Sequence, residues 1–500
     1  MSSPERATEE PEGSSEEPSS GIAAKFASWM PFKAGVPDWL VLALLLGFVL
    51  LSLAGIVVRA FSPVEAIYNE GWNAYNAQAA LQHHLYPYKY GWTTVNYPFL
   101  SFYLIGHLSL YFGDPVRIGR MLSLLSLFIS CLCVAAIVKK LTGRWSGGIF
   151  SAIYCLWIVI VMAIGYVATN DPQIMALACI LLALLLYIRA PESNRTVLAV
   201  AFLFVLGGNI KHNLLAAPLA VFLDLLFRSW SRAARFVIFG IILLVASLYI
   251  NQWAGGPYFT AQLLTPRTYS ISKLLVSTSI IFPLAVPLLI AAVWSLRSLC
   301  NVKYRVIALY FFISLFLGIA FYGGGGTTVN MFFDCFFAVA IILGVLLDRA
   351  WQSETPWLKR GGAWRWAVPL LLFQVPCVDI PPVHLHPLMG EKKEFKAEVA
   401  FLAAQQGPAI CESLLRCYYA GKPYILDPFN SASLVRLGKL DGNVWVQRIA
   451  NKEFGAIQTY QSVSLMERPN ARFPDAVLDA IDKYYKVAMQ DSKTVIYVPQ

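Results

Sequence analysis

Apolar runs near the length of a bilayer-crossing helix recur along this chain, and they constrain its fold more than any other feature. Residues 39–58, 118–138, 146–166 and 236–253 each lie close to the ~20 residues that an α-helix needs to cross hydrocarbon. Lipid offers no partner for unpaired backbone groups, so these runs must be helical. The composition agrees, with 57% hydrophobic and 14% charged residues against about 25% charged in an ordinary soluble domain. A water-soluble globule is disfavoured, and a polytopic α-helical membrane protein is expected.

The formal charge of +10 does not mark a nucleic-acid binder, because the basic residues are split among short loops and form no single stripe. They report topology. Residues 1–36 are rich in Ser, Pro and Glu and read as a disordered cytoplasmic tail. No cleavable signal peptide precedes the first long helix, which is expected to stay as an anchor. The stretch 98–112 decides the orientation: with about 15 apolar residues it falls short of a crossing, and it is read as lying along the outer interface.

With that choice the inward loops hold Lys139, Lys140, Arg144, Arg189, Arg195, Arg228, Arg232 and Arg235, then Arg297, Lys303, Arg305, Arg349, Lys359, Arg360 and Arg365. The outward loops around 167–171, 209–213, 252–273 and 323–330 contain only Lys211, Arg267 and Lys273. This asymmetry predicts a transmembrane domain over 37–378 with about 11 crossings, a first outer loop at 60–117, and the tail inside. The remaining 379–500 are expected to form a small α/β domain on the outer side. Helical patterns fall at 395–405 and 476–485, and short strands are expected at 409–411, 424–426 and 494–498.

Of nine cysteines, Cys131, Cys133, Cys155, Cys179, Cys300 and Cys335 fall in or beside apolar runs and read as small hydrophobes. Cys411 and Cys417 lie in the outer domain, where a bridge is open if that side is oxidising.

The outward side gathers polar residues at membrane boundaries. Glu65 and Glu70 lie in the first outer loop, Asp171 of Thr169-Asn170-Asp171-Pro172 opens a helix, and Lys211-His212 joins two others. Singly, Asp171 reads as a helix cap, Lys211 as a snorkelling anchor and Glu70 as a solvated loop charge. Together, two carboxylates and a cation in one outer pocket have the chemistry to deprotonate an acceptor hydroxyl and hold a phosphate leaving group. His83 with His84, and His384 with His386, lack a third ligand for zinc. Gly323 to Gly326 lacks the Lys-Ser/Thr of a phosphate loop and reads as an outer loop.

These residues resemble the GT-C glycosyltransferases, especially bacterial members similar to protein mannosyltransferases and the lipid A aminoarabinose transferase, over nearly the whole chain. Asn69-Glu70-Gly71 looks like the family's acidic first-loop motif, and Asn96-Tyr97-Pro98-Phe99 like the segment after it. Gly113 and Arg120 resemble a Gly and Arg before the next membrane helix, and Asn170-Asp171-Pro172 a second acidic motif. Lys211 matches a position that meets the donor phosphate, Asn330 and Asp334 resemble an Asn-Tyr-x-x-Glu segment, and Leu426-Asp427-Pro428-Phe429 looks like a motif of the outer domain.

The resemblance implies an inverting glycosyltransferase of the bacterial inner membrane with a polyprenyl-phosphate-sugar donor and a lipid, glycan or protein acceptor. It implies Glu70 as general base with Asp171 as its partner. The implied substrate-binding residues are Lys211, His212, Asn96, Tyr97, Arg120, Arg267, Asn330 and Asp334. A divalent metal is the weaker implication, because Asn69 stands where the family usually has Asp, and hard cations prefer several carboxylates. The alternative is a transporter or flippase, for which intramembrane charges also mark a route. Inverted halves are not evident, and the charges gather at one face instead of the midplane.

Overall fold

The computed structural model describes residues 38–352, 372–373, 385–466, 471–491 and 493–500. The expected tail, the end of the expected transmembrane domain at 366–378 apart from 372–373, and the side chains of His384 and His386 lie outside these residues. Among them, seven helices are long and apolar enough to cross a membrane: Trp39–Ala60, Pro115–Thr142, Ser146–Tyr166, Trp230–Gly255, Ile271–Ser298, Arg305–Tyr322 and Val329–Gln352. Shorter apolar helices follow at Leu100–Phe112, Gln173–Arg189 and Asn194–Ile210, and Ala216–Arg228 completes the bundle.

Burial sorts these helices into core and rim. Val329–Gln352 is central, with 83% of its apolar window buried, whereas Trp230–Gly255 has 11% and turns Ile238, Ile241, Ile242 and Tyr249 outward. That outward apolar face is the surface a helix presents to lipid. Gln173–Arg189 packs between Pro115–Thr142 and Asn194–Ile210, so its shorter span is wrapped by protein. Leu100–Phe112, at about 1.5 Å per residue, extends only about 20 Å and leaves Leu110, Tyr111 and Phe112 exposed. Gly113, at φ +90°, turns the chain where a side chain would be strained. Asp114 then caps Pro115–Thr142 by accepting from Val116 N at 2.9 Å.

Two polar knots close the bundle at one end. Asp348 accepts from Thr142 Oγ1 at 2.7 Å and from Ser146 Oγ and Gly147 N at 2.8 Å. Asp224 accepts from Tyr187 and Arg305 at 2.6 Å and from Arg228 at 2.5 Å. The other end carries the links after Ala60, Tyr166, Ile210, Gly255 and Tyr322, on which the C-terminal portion sits.

That portion carries all four strands found among the described residues: β1 Ala409–Cys411, β2 Ala456–Thr459, β3 Tyr485–Gln490 and β4 Val495–Pro499. They form one sheet in the order β1-β2-β4-β3. β1 and β2 are parallel, with Ile410 opposite Ile457, and the other pairs are antiparallel, with a bulge at Val487/Met489. Trp445, Ile449, Leu478 and Ile481 pack from helices Asn443–Ala450 and Asp475–Tyr484 into its core.

The expected strand at 424–426 joins no ladder, because it lies against the first outer loop instead of beside a partner strand. β2 and β3 were not expected. β2 is a four-residue strand buried throughout, so it shows no alternation. Tyr485–Gln490 is mostly exposed and offers little apolar signal. Cys411 and Cys417 are joined by a disulfide, which ties β1 to helix Leu414–Tyr419.

Candidate active site

Asn69-Glu70-Gly71 opens helix Asn69–Leu81, and successive residues on a helix point about 100° apart. The three positions therefore serve three neighbours. Gly71 faces the backbone of Leu414 and Leu415, where an added Cβ would collide, so the C-terminal portion docks at that position. Glu70 points into the bundle, and Asn69 faces a cavity.

Glu70 is fully buried and paired with Arg120 at 2.6 Å, neither side chain having any exposure. Arg120 donates from Nε and Nη2 to the two carboxylate oxygens at 2.6 Å, a bidentate geometry. The same oxygens accept from Ala66 N at 2.7 Å and Asn170 N at 3.0 Å. Arg120 directs its remaining N–H groups to the carbonyls of Arg59, Ser62 and Val64. Acceptors and donors are matched throughout.

This geometry bears on two expectations. Each Glu70 oxygen already accepts two hydrogen bonds, which leaves that carboxylate no free lone pair for an acceptor proton in this arrangement. Arg120 has no N–H left for a phosphate. Together they fix the first outer loop to helix Pro115–Thr142.

The second pair differs. Asp171 accepts from Gln173 N at 2.8 Å, the helix-capping role its position suggests. Its other oxygen accepts from Asn69 Nδ2 at 3.1 Å. Lys211, in the link after Asn194–Ile210, brings Nζ to 3.8 Å from Asp171, beyond hydrogen-bond reach. That ammonium has no hydrogen-bond partner among the described residues, although its side chain is only 4% exposed. It lies over the Tyr97 ring at 3.6 Å from the centroid, a cation–π contact. Burial lowers the Lys211 pKa below the ordinary lysine value, with Asp171 opposing and Arg267 reinforcing that shift. Burial and the two cations likewise hold His212 toward its neutral form.

Lys211, His212, Tyr97, Arg267 and Asn330 line a cavity of about 470 Å³, whose remaining wall includes Leu215, Leu263, Leu264, Phe321 and Met331. Asn69 lines it too, and Asp171 sits immediately behind Asn69 and Lys211. A smaller cavity of about 50 Å³ shares Asn69, Tyr97 and Arg267, and adds Asn96, Phe429 and Asn430. Phe429 rests on Gly326, where φ is +74° and a Cβ would meet the ring. Asn430 Oδ1 accepts from Asn96 at 3.4 Å. Asp427 is buried and caps the helix that carries Phe429, accepting from Asn430 N at 3.1 Å and Tyr68 OH at 2.9 Å.

Asp334 stands off the cavity wall and accepts from Tyr310 OH at 2.7 Å, so the structure does not bring it to the other candidates. Lys273 is also engaged elsewhere, donating to Gly324 O and Thr327 O at 2.7 Å. Sequence reasoning missed Gln173 and Tyr166. Gln173 Oε1 accepts from Asn330 Nδ2 at 3.4 Å, and Tyr166 OH lies 2.7 Å from Thr328 Oγ1. Lone uncharged polar residues beside apolar runs carry no signal that separates them from interfacial anchors. Among the described residues no three His, Cys, Asp or Glu side chains converge as a metal-binding set.

A helical bundle, a first outer loop, a docked α/β portion and a polar cavity at one end together give a fold similar to that of solved GT-C membrane glycosyltransferases. Residues 96–253 match the family model described as dolichyl-phosphate-mannose-protein mannosyltransferase. ArnT from Cupriavidus metallidurans is similar in its apo state at a TM-score of 0.59 and 13% identity, over 90% of this chain and 97% of that one. The same protein bound to undecaprenyl phosphate gives 0.56 and 14%, over 90% and 98%. The Archaeoglobus fulgidus oligosaccharyltransferase with a tethered acceptor peptide gives 0.47 and 12%, over 93% and 74%. No curated protein matches the chain in sequence.

Proposed function

We propose that this protein is an inverting glycosyltransferase that moves a sugar from a polyprenyl-phosphate carrier to an acceptor hydroxyl at the outer face of the bacterial inner membrane. The observation that carries this reading is the buried Lys211 ammonium, without a hydrogen-bond partner among the described residues, beside Asp171 in a cavity with a leucine-rich flank. A buried unpaired cation calls for an anion. A lipid phosphate supplies one, and its chain suits the apolar wall. The ArnT structure bound to undecaprenyl phosphate and the loop-charge asymmetry support the donor class and the orientation.

In this mechanism the phosphate draws the Lys211 ammonium forward, and Arg267, exposed and donating only a 3.4 Å contact to Gly325 O, closes on it. Withdrawal of Lys211 uncovers the Asp171 oxygen it faced. Asp171 takes the acceptor O–H proton as the acceptor oxygen bonds to the anomeric carbon and the carbon–phosphate oxygen bond breaks. The electron pair leaves with the polyprenyl phosphate, where Lys211 and Arg267 offset the charge.

Asp171 thus replaces Glu70 as base. The 37–378 transmembrane and 379–500 outer domains remain the proposed division, the latter walling the site with Phe429 and Asn430. The test is sugar transfer by purified protein from labelled polyprenyl-phosphate sugars into membrane extract. Loss in Asp171→Asn is expected, and undiminished transfer by that variant would overturn the assignment. Energy-coupled flux without transfer would favour a flippase.

A further inference from the structure

A second cleft of about 600 Å³ runs along helix Asn69–Leu81, lined there by Tyr75, Asn76, Gln78 and Ala79. Its walls come from two parts of the chain: the first outer loop, and the segment 418–424 of the C-terminal portion. Tyr75 ties them together, donating to Lys422 O at 2.7 Å and stacking on Tyr424 at 4.8 Å and 11°.

Its chemistry is unlike that of its neighbours. The cavity beside Asp171 is cationic, through Lys211 and Arg267, and a third pocket beneath Arg416 is acidic, through Glu65, Glu391, Glu394 and Glu398. No carboxylate lines the second cleft. Its one lysine, Lys422, donates to the carbonyls of Gln405 and Gly407, so that charge is already directed at the backbone. His84 is exposed at the rim. Nothing here balances a phosphate or a carboxylate.

What remains is a set of rings and amides: Tyr88, Tyr418 and Tyr424 with Asn76, Gln78 and Gln82. Gln78, Gln82 and Tyr88 are exposed, and Gln78 Nε2 donates to Tyr418 OH at 3.1 Å. An amide both donates and accepts, which matches a hydroxyl that does the same. A phenol ring offers an apolar face to the C–H face of a pyranose. The volume falls within the ~300–1,000 Å³ of small-molecule sites and accommodates a short oligosaccharide. A peptide would bring backbone charge-free amides too, but no exposed sheet edge or deep apolar side-chain pocket is present there to anchor it.

We propose that this cleft binds a neutral oligosaccharide belonging to the acceptor, seating it beside the reaction cavity. The inference rests on the glycosyltransferase reading and names its acceptor class as a glycan. Val95 lines the cleft and the next residue, Asn96, lines the small cavity that adjoins the site, so the two openings flank the same stretch of the first outer loop. The cleft also gives the C-terminal portion a task, since it exists only where that portion docks.

The test is saturation-transfer NMR on the full-length protein in nanodiscs with maltotriose, chitotriose, mannotriose and xylotriose, and with a neutral tripeptide for comparison. Variants Gln82→Ala and Tyr88→Ala change exposed residues and leave the fold intact. Saturable binding of at least one trisaccharide, insensitive to salt and weakened roughly tenfold or more in the double variant, is expected. Undecaprenyl-phosphate binding, measured in parallel, should be the same in variant and wild type. Failure of all four trisaccharides to bind, equal binding by the double variant, or tripeptide binding that the variant abolishes overturns the proposal. Loss of undecaprenyl-phosphate binding by wild type, with trisaccharide binding retained, would instead count against the donor reading alone.

Discussion

Two carboxylate–cation pairs lie side by side here, joined through Asn69 and Asn170, and they have opposite character. Glu70 and Arg120 meet at 2.6 Å with no exposure, and both Glu70 oxygens and all the guanidinium nitrogens are engaged. Asp171 and Lys211 stand 3.8 Å apart, and the ammonium has no hydrogen bond among the described residues. The identity of the cation goes with the difference. A planar guanidinium presents a rigid fork that locks a carboxylate and several carbonyls at once, whereas an ammonium on a flexible stem can change partners and loses its proton more readily when buried. The completed pair holds the loop, and the incomplete pair is poised for a ligand.

The largest expected effect comes from breaking the completed pair. Arg120→Leu leaves Glu70 buried without its partner and frees three backbone carbonyls, at a cost on the order of 3–5 kcal/mol. Thermal unfolding in detergent should show a large fall in Tm and in folded yield. Glu70→Gln sharpens the contrast: it should lower Tm as well, while the fraction that folds keeps most of its transfer rate. A stable Glu70→Gln protein without transfer activity would return the base role to Glu70.

Asp171→Asn should do the reverse. Its cavity-side partners stay in place, so Tm should move little, while transfer falls by about 10²–10⁴-fold, the usual contribution of a general base. Equal loss of Tm in this variant and in Glu70→Gln would erase the distinction between the pairs.

Next is the lysine. Lys211→Met should weaken undecaprenyl-phosphate binding by roughly ten- to a hundredfold, from the ~1.5–3 kcal/mol of a hydrogen bond to a charged group. The pH dependence has a fixed sign. Because burial lowers the Lys211 pKa, the free protein loses this charge at a lower pH than an ordinary lysine, and phosphate affinity falls as pH rises through that range. Lys211→Arg, charged throughout, should flatten the fall. A steep alkaline loss that persists in Lys211→Arg would assign the titration to another group.

The two pairs were unequally legible in the sequence. Both carboxylates stood out as charges at the ends of apolar runs, and Lys211-His212 likewise. What sequence order does not carry is helix phase and long-range proximity. Asn69 and Glu70 are neighbours in the chain, yet one faces the cavity and the other a buried arginine fifty residues on. Arg120 stood out only through the family resemblance, and as a substrate-binding residue, because the carbonyls it satisfies are invisible until the loop is folded. The bundle was readable because hydrophobic length is a local property. Phe429 and Asn430 could be suspected from Leu426-Asp427-Pro428-Phe429 but not located, since the contact joins segments more than three hundred residues apart.

The smallest effect expected, and the one that tests the incomplete pair most finely, is Asn69→Asp. Asn69 Nδ2 donates to Asp171 at 3.1 Å, so the substitution replaces a donor with a second carboxylate at hydrogen-bond distance. Two carboxylates that close cannot both ionise without a counter-charge. They share a proton, which removes the base, or recruit a hard divalent cation. Asn69 is only partly buried at the cavity wall, so Tm should change little. Transfer in chelator should drop by about tenfold, toward the lower end of a base's contribution, and added Mg²⁺ or Mn²⁺ should restore it. Wild type should transfer equally with and without chelator, since its single carboxylate at this point already has Lys211 as counter-charge and an amide donor from Asn69. A wild-type rate abolished by chelator would mean that Asn69 and Asp171 hold a cation together, and Lys211 would then be a bystander to the charge that receives the phosphate.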